Sequence, residues 1–214
     1  GLFALQYVPI ERRYFAIGGF ALLSLVLSGL AVLTDKKGYQ WFTALCLPAL
    51  YPTSVALFYF LLPEHLFARF ALLLVFGVGM YALLLTENIF AVASVRTIQL
   101  VRAGHAVGFL LTIVTSIFLL GTLFSFKWPF WMNGALTAGA FLLLSLQSSW
   151  MVTFDRPFTR SMVSRAVFFS LMSGELAMIV SILPMAPLVS AIFISGYLYV
   201  ILGLAALTFG VGVL

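Results

Sequence analysis

Long apolar runs, separated by single charged residues or short charged groups, dominate the hydrophobic pattern of this chain. Between Arg13 and Asp155 there are five windows of 17 to 27 residues that contain no Asp, Glu, Lys or Arg. A charged group costs several kcal/mol in hydrocarbon, and a helix needs about 20 apolar residues to cross a bilayer. Each window therefore predicts one crossing. The 49 residues after Arg165 contain only Glu175 as a charge and predict two more, separated by the proline-containing run 183–187.

This pattern predicts an all-α fold: a single domain, 1–214, built as a polytopic integral membrane bundle of seven transmembrane helices. The predicted helices span about 14–33, 41–62, 66–86, 104–124, 129–151, 162–183 and 188–210, with an interfacial segment at about 87–103.

Composition supports the membrane class and excludes several others. The chain is 64% hydrophobic and only 8% charged, whereas a soluble domain carries about a quarter charged residues. One cysteine, Cys46, excludes a disulfide scaffold, and the apolar content excludes a disordered chain. The net charge of +5 arises from basic residues near predicted membrane edges. We therefore expect the lipid bilayer as a partner and no nucleic acid.

Basic residues also predict an orientation, because cytoplasmic loops are enriched in Lys and Arg. With seven helices, one side carries four basic residues: Arg12, Arg13, Arg69 and Lys127. The other side carries seven: Lys36, Lys37, Arg96, Arg102, Arg156, Arg160 and Arg165. The sequence thus predicts a multi-pass cell-membrane protein with its amino terminus outside and its carboxyl terminus in the cytoplasm.

Glu175 is the most unusual residue, since it falls near the middle of predicted helix six. A central charged group costs about 2.5 to 3.5 kcal/mol on insertion scales, so we expect this acid to face the bundle interior. Two interpretations remain open: a proton or cation site, or a structural carboxyl hydrogen-bonded to a neighbouring helix. Gln147, Arg96 and His105 are the candidate partners of Glu175 in an intramembrane polar site.

Long polar side chains recur at every third position before predicted helix four: Arg96, Gln99, Arg102 and His105. Such spacing resembles the arginine stripe of a voltage-sensing helix, but only two of the four are permanently charged. The alternative is an interfacial segment, capped by Glu87 and Asn88, whose arginines reach the headgroups.

Arg156, Arg160 and Arg165 surround the predicted loop between helices five and six. We expect them to contact anionic lipid headgroups, with about 1 kcal/mol from each. Small residues four positions apart also occur at Gly104 and Gly108, a pattern that lets helices approach closely and predicts packing within the bundle.

The sequence predicts no metal site, no cofactor and no catalytic residues. All lysines lie in predicted loops, at Lys36, Lys37 and Lys127, which excludes a retinal Schiff base in a membrane helix. The two histidines, His65 and His105, lie at opposite predicted helix ends and do not form a cluster of ligands.

Three short stretches, 86–90, 96–100 and 105–109 (TENIF, RTIQL and HAVGF), resemble the central segment of an uncharacterised polytopic membrane family known only as a domain of unknown function. The resemblance covers roughly the middle fifth of the chain. It implies a multi-helix membrane domain and transfers no functional residue.

Short predicted loops leave no room for a soluble catalytic domain, and the membrane portion offers few convergent polar groups. The leading hypothesis is therefore a non-enzymatic membrane-embedded subunit or scaffold, with other membrane subunits or further copies of itself as partners. The alternatives are a small transporter or ion- or proton-conducting protein that uses Glu175, and an intramembrane enzyme that acts on lipid.

Overall fold

The computed structural model describes residues 39–62, 65–93, 101–152 and 159–211, together with the single helical residues Gly19, Leu23 and Val26. Those residues form six α-helices: α1 (Tyr39–Tyr59), α2 (Leu66–Ala93), α3 (Val101–Ser125), α4 (Phe130–Val152), α5 (Arg160–Ile182) and α6 (Pro187–Val211). The described ranges contain no strand, so the predicted all-α class is confirmed for them. Predicted helix one, 14–33, lies outside the described residues apart from the three single ones.

Five of the described helices, α2 to α6, are long and apolar enough to cross a membrane. In α1 the apolar stretch with described side chains, Cys46–Tyr59, is shorter. The outer surface is apolar as well, as α2 shows with Phe67 85% exposed and Tyr81 72% exposed. A soluble fold would bury such side chains, whereas a helix in contact with lipid has no reason to.

The described helix ends lie within three residues of the predicted ones, with one exception. Helix α2 continues to Ala93, seven residues beyond the predicted end at 86. Residues 87–93 therefore belong to α2 and 101–103 to α3, rather than to one interfacial segment, and 94–100 lie outside the described residues. The physical reason is the apolar run Ile89–Ala93, which contains no glycine or proline to end the helix after Glu87.

Proline determines the sharpest turn, between α5 and α6. Leu183 follows the last residue of α5 with extended dihedral angles, φ −77° and ψ 138°, as expected for a residue before a proline. Helix α6 then begins at Pro187, where the missing N–H removes no helical hydrogen bond. The predicted break at 183–187 is confirmed.

Helix α3 lies at the centre of the bundle and packs against α1, α2, α4 and α6, while α5 packs mainly against α4. Consecutive helices α2 to α5 run antiparallel. Thr86 of α2 and Met151 of α4 both reach Gly108 of α3, and Gly134 near the start of α4 contacts Gly174 in the second half of α5.

The predicted packing role of Gly104 and Gly108 is confirmed. A Cβ atom on Gly104 would lie 3.4 Å from Ile89, and one on Gly108 would lie 2.5 Å from the Met151 methyl group. Both glycines thus bring neighbouring helices of the same chain together.

Hydroxyl and amide groups join helices that lie far apart in sequence. Ser116 of α3 and Ser195 of α6 place their hydroxyl oxygens 2.8 Å apart. Asn133 of α4 donates from Nδ2 to the Ser181 hydroxyl of α5 over 2.8 Å. The Tyr51 hydroxyl of α1 donates to the Val75 carbonyl of α2 over 2.7 Å. Measured interhelical bonds of this kind contribute about 0.6 kcal/mol on average in a membrane bundle.

Candidate functional site

Glu175 lies on the outer face of α5, so its predicted placement in the bundle interior is wrong. The buried face of this helix includes Ala166, Gly174 and Ala177. Glu175 follows Ala166 by nine residues, about two and a half helical turns, and therefore lies on the opposite side of the helix. The packing of α5 against α4 determines this outcome, because Gly174 lies directly against Gly134 and Ala138 of α4.

The carboxyl group of Glu175 lies in a groove between α5 and α6, which we call the α5–α6 groove. Its volume is about 680 Å³. The α5 side consists of Met172, Glu175, Leu176 and Ile179, and the α6 side of Ile192, Phe193, Gly196, Tyr197 and Val200. Glu175 is the only lining residue with an ionisable group other than the phenol of Tyr197, so one acid stands in an otherwise apolar groove.

Gln147, the first candidate partner, is not brought near Glu175. Ala138 of α4 packs on Gly174 of α5, and Gln147 follows Ala138 by nine residues, about 14 Å along the helix and on its opposite side. Its side chain is only 1% exposed. Neither its amide oxygen nor its amide nitrogen has a hydrogen-bond partner in the described part of the chain.

His105 joins three helices near the start of α3. Its Nε2 lies 2.6 Å from the Met151 carbonyl oxygen of α4, so the tautomer that fits carries the proton on Nε2 and donates it. The imidazole also packs on the Phe90 ring of α2, with centroids 5.2 Å apart. These contacts assign His105 a packing role and place it at the Met151 end of α4, away from Glu175.

The predicted arginines divide between described and undescribed residues. Arg96 and Arg156 lie outside the described residues. Arg160 is exposed at the first position of α5. Arg165 is half-buried, and its Nε donates to the Ser161 carbonyl over 3.2 Å. Contact of these arginines with lipid headgroups stays a prediction.

Glu87 is the buried carboxyl that sequence reasoning missed. It lies inside α2, is 1% exposed, and is close enough to the Cys46 thiol of α1 to act on it electrostatically. Its neighbour Thr86 contacts Gly108, as Met151 does from α4, so Glu87 lies near the level of Met151, and Gln147 lies about one helical turn from Met151 along α4. The sequence did contain a signal for this burial. The stretch from Arg69 to Arg96 has the length of one membrane crossing, and Glu87 falls inside that stretch rather than at its end.

The described residues thus contain two separate intramembrane acids, Glu87 inside the bundle and Glu175 on its surface. Within the same ranges, no three His, Cys, Asp or Glu side chains come close enough together to hold a metal ion. The chain matches no protein-family model, no curated protein and no solved structure. The resemblance of residues 86–109 to an uncharacterised membrane family stays a prediction.

Proposed function

We propose that this chain is a non-enzymatic, membrane-embedded subunit of a larger membrane assembly. One observation carries the proposal: the Glu175 carboxyl stands on the outer face of a membrane-length helix, among apolar side chains. Lipid tails offer no hydrogen bond to such a group. A partner protein that donates a hydrogen bond to the carboxyl offsets the free-energy cost of placing this group in lipid. We therefore expect the chain to assemble with such a partner.

The same placement weakens the two alternatives. A conduction pathway that uses Glu175 needs this residue beside the other polar candidates. Of the candidates that the structure describes, Gln147 and His105 lie at a different depth and on other faces. An intramembrane enzyme needs a nucleophile, a base and a substrate site in one place. The groove at Glu175 offers a single carboxyl and a phenol.

The subunit proposal is tested by purifying the native protein from its own membrane in a mild detergent and measuring its mass by light scattering. We expect a reproducible complex with another membrane protein, at a fixed ratio, that survives size-exclusion chromatography. The matched control is a purification in a harsh detergent, which is expected to release the chain. A single copy of the chain in the mild detergent contradicts the proposal.

We also propose seven crossings, with the amino terminus outside and the carboxyl terminus in the cytoplasm. The described basic residues fall at two opposite ends of the bundle, because α2 to α5 alternate in direction. This supports a membrane orientation with two distinct sides. Arg69 and Lys127 lie at one end of the bundle, and the opposite end carries Arg102, Arg160 and Arg165.

Cysteine labelling in intact cells tests this orientation in a Cys46→Ser background. We expect a membrane-impermeant maleimide to label Lys127→Cys from outside and to label Arg160→Cys only after the cells are opened. The reverse pattern means that the orientation is inverted, and labelling of both from outside contradicts the crossings of α4.

A further inference from the structure

The outer face of α5 carries a stripe of large apolar side chains with Glu175 at its centre. Phe168 and Leu171 precede the acid and are 59% and 58% exposed, and Ile179 and Ile182 follow it and are 60% and 71% exposed. The spacing of three and four residues places all five side chains on one face of the helix. This is the spacing by which one helix packs along another.

Helix α6 forms the second wall of the α5–α6 groove and leaves room for a partner. A Cβ atom on Gly196 would meet no atom within 4 Å, and the same is true of Gly203, seven residues further along the same face. Small residues at a membrane helix surface allow another backbone to approach closely. The groove therefore offers two apolar walls and an open glycine-lined side to an elongated apolar ligand.

Glu175 lies well inside the membrane-length span of α5. It lies seven residues before the end of α5 and fifteen residues after its start, which corresponds to about 10 Å and 22 Å along the helix. The hydrocarbon core is about 30 Å thick. We therefore expect the group that neutralises this carboxyl to come from a side chain of a neighbouring membrane helix.

We infer that the α5–α6 groove binds a transmembrane helix of a different membrane protein, which places an arginine or lysine side chain against Glu175. This inference rests on the proposed function and names the partner class of the same site. Charge complementarity selects the partner. An arginine presents paired N–H donors that match the two carboxylate oxygens, and the apolar stripe packs against the rest of the helix.

The described helices of a second copy do not supply that side chain. In the described helices the basic residues stand near the helix ends: Arg69, Arg102, Arg160 and Arg165. Two copies facing each other through the groove would place one Glu175 opposite the other, so the described helices favour another protein as the partner of complementary charge.

Defined peptides in liposomes test the inference. The host is a leucine–alanine helix of about 23 residues, made with arginine, leucine or glutamate at its central position. The full chain carries a donor dye on a terminal tag, the peptide carries an acceptor, and energy transfer is measured against the peptide-to-lipid ratio. We expect the arginine peptide to bind about tenfold more tightly than the leucine peptide, which corresponds to 1.4 kcal/mol.

Variants at two positions distinguish the contribution of the Glu175 charge to peptide binding from the contribution of the shape of the groove. Glu175→Gln keeps the volume of the side chain and is expected to abolish the preference for arginine. Glu175→Arg is expected to reverse it, so that the glutamate peptide binds best. Gly196→Leu retains the acid but fills the groove and is expected to weaken binding of the arginine peptide about fivefold. Gly77→Leu is its control, because Gly77 is also open and exposed, but lies on α2.

Equal binding of the arginine and leucine peptides to the native chain overturns the inference, as does a preference that survives Glu175→Gln. Self-association of the chain that depends on Glu175 without any peptide also overturns it, in favour of a second copy. The proposed function fails in a different way. If a native complex purifies but the peptides show no preference, the subunit role stands and the groove assignment falls.

Discussion

Gly174→Val is expected to lower the free energy of unfolding by about 3 kcal/mol, at the upper end of the cost of overpacking. A Cβ atom at Gly174 would lie 2.9 Å from the Ala138 Cβ and 2.9 Å from the Gly134 carbonyl oxygen, both on α4. The second atom belongs to the backbone and cannot rotate away. The two helices must therefore separate, and the contact on which α5 depends most for its position is lost.

Gly139→Val is the matched control for this prediction. Gly139 lies on α4 near the same contact, but it is exposed, and a Cβ atom there meets nothing within 4 Å. The intrinsic helix propensities of glycine and valine apply to both variants, so the difference between them isolates the packing term. Reversible unfolding in mixed micelles measures both. Equal stabilities would mean that α4 and α5 do not pack through Gly174.

Gln147→Leu is expected to raise the free energy of unfolding by about 1 to 2 kcal/mol, because it replaces a buried amide without hydrogen bonds by an apolar group of similar size. Gln147 is 1% exposed, and neither amide atom has a partner in the described part of the chain. Most substitutions in a packed core lower stability, so an increase in the free energy of unfolding would be specific evidence that the buried amide is unfavourable.

Gln147→Ala serves as the comparison, because it removes the amide but leaves a void, and it is expected to be less stable than Gln147→Leu. If Gln147→Leu instead lowers stability as much as Gln147→Ala does, the amide has a bound partner in the native protein. Together with the buried Glu87 carboxyl, that result would support the conduction hypothesis at a new place, inside the bundle.

The helices could be predicted well because their ends depend on local properties. Charged residues mark where the chain leaves hydrocarbon, and the residues around Pro184 and Pro187 cannot continue a helix. The exception, the end of α2, shows the limit of this reasoning. The charge pattern places Glu87 at the membrane edge, but an acid that is buried by neighbouring helices need not lie at the edge.

The candidate site was harder to predict, because neither of the two intramembrane acids lies where the sequence predicts it. Glu175 was expected inside and lies outside, whereas Glu87 was expected at the interface and lies inside. The hydrophobic pattern could not separate these cases, since α2 and α5 have apolar residues on every side. In a soluble protein the polar face of a helix marks the surface, but a membrane helix has no such marker.

The amino-acid sequence by itself determined that the described ranges are helical, that five of their helices are long and apolar enough to cross a bilayer, and where most of the described helices end. These properties follow from the transfer free energy of each side chain and the local preferences of proline. Only the tertiary structure decided which face of each helix is buried. That choice depends on where small residues such as Gly174 and Gly108 allow close approach, which is a property of two helices together rather than of either one alone.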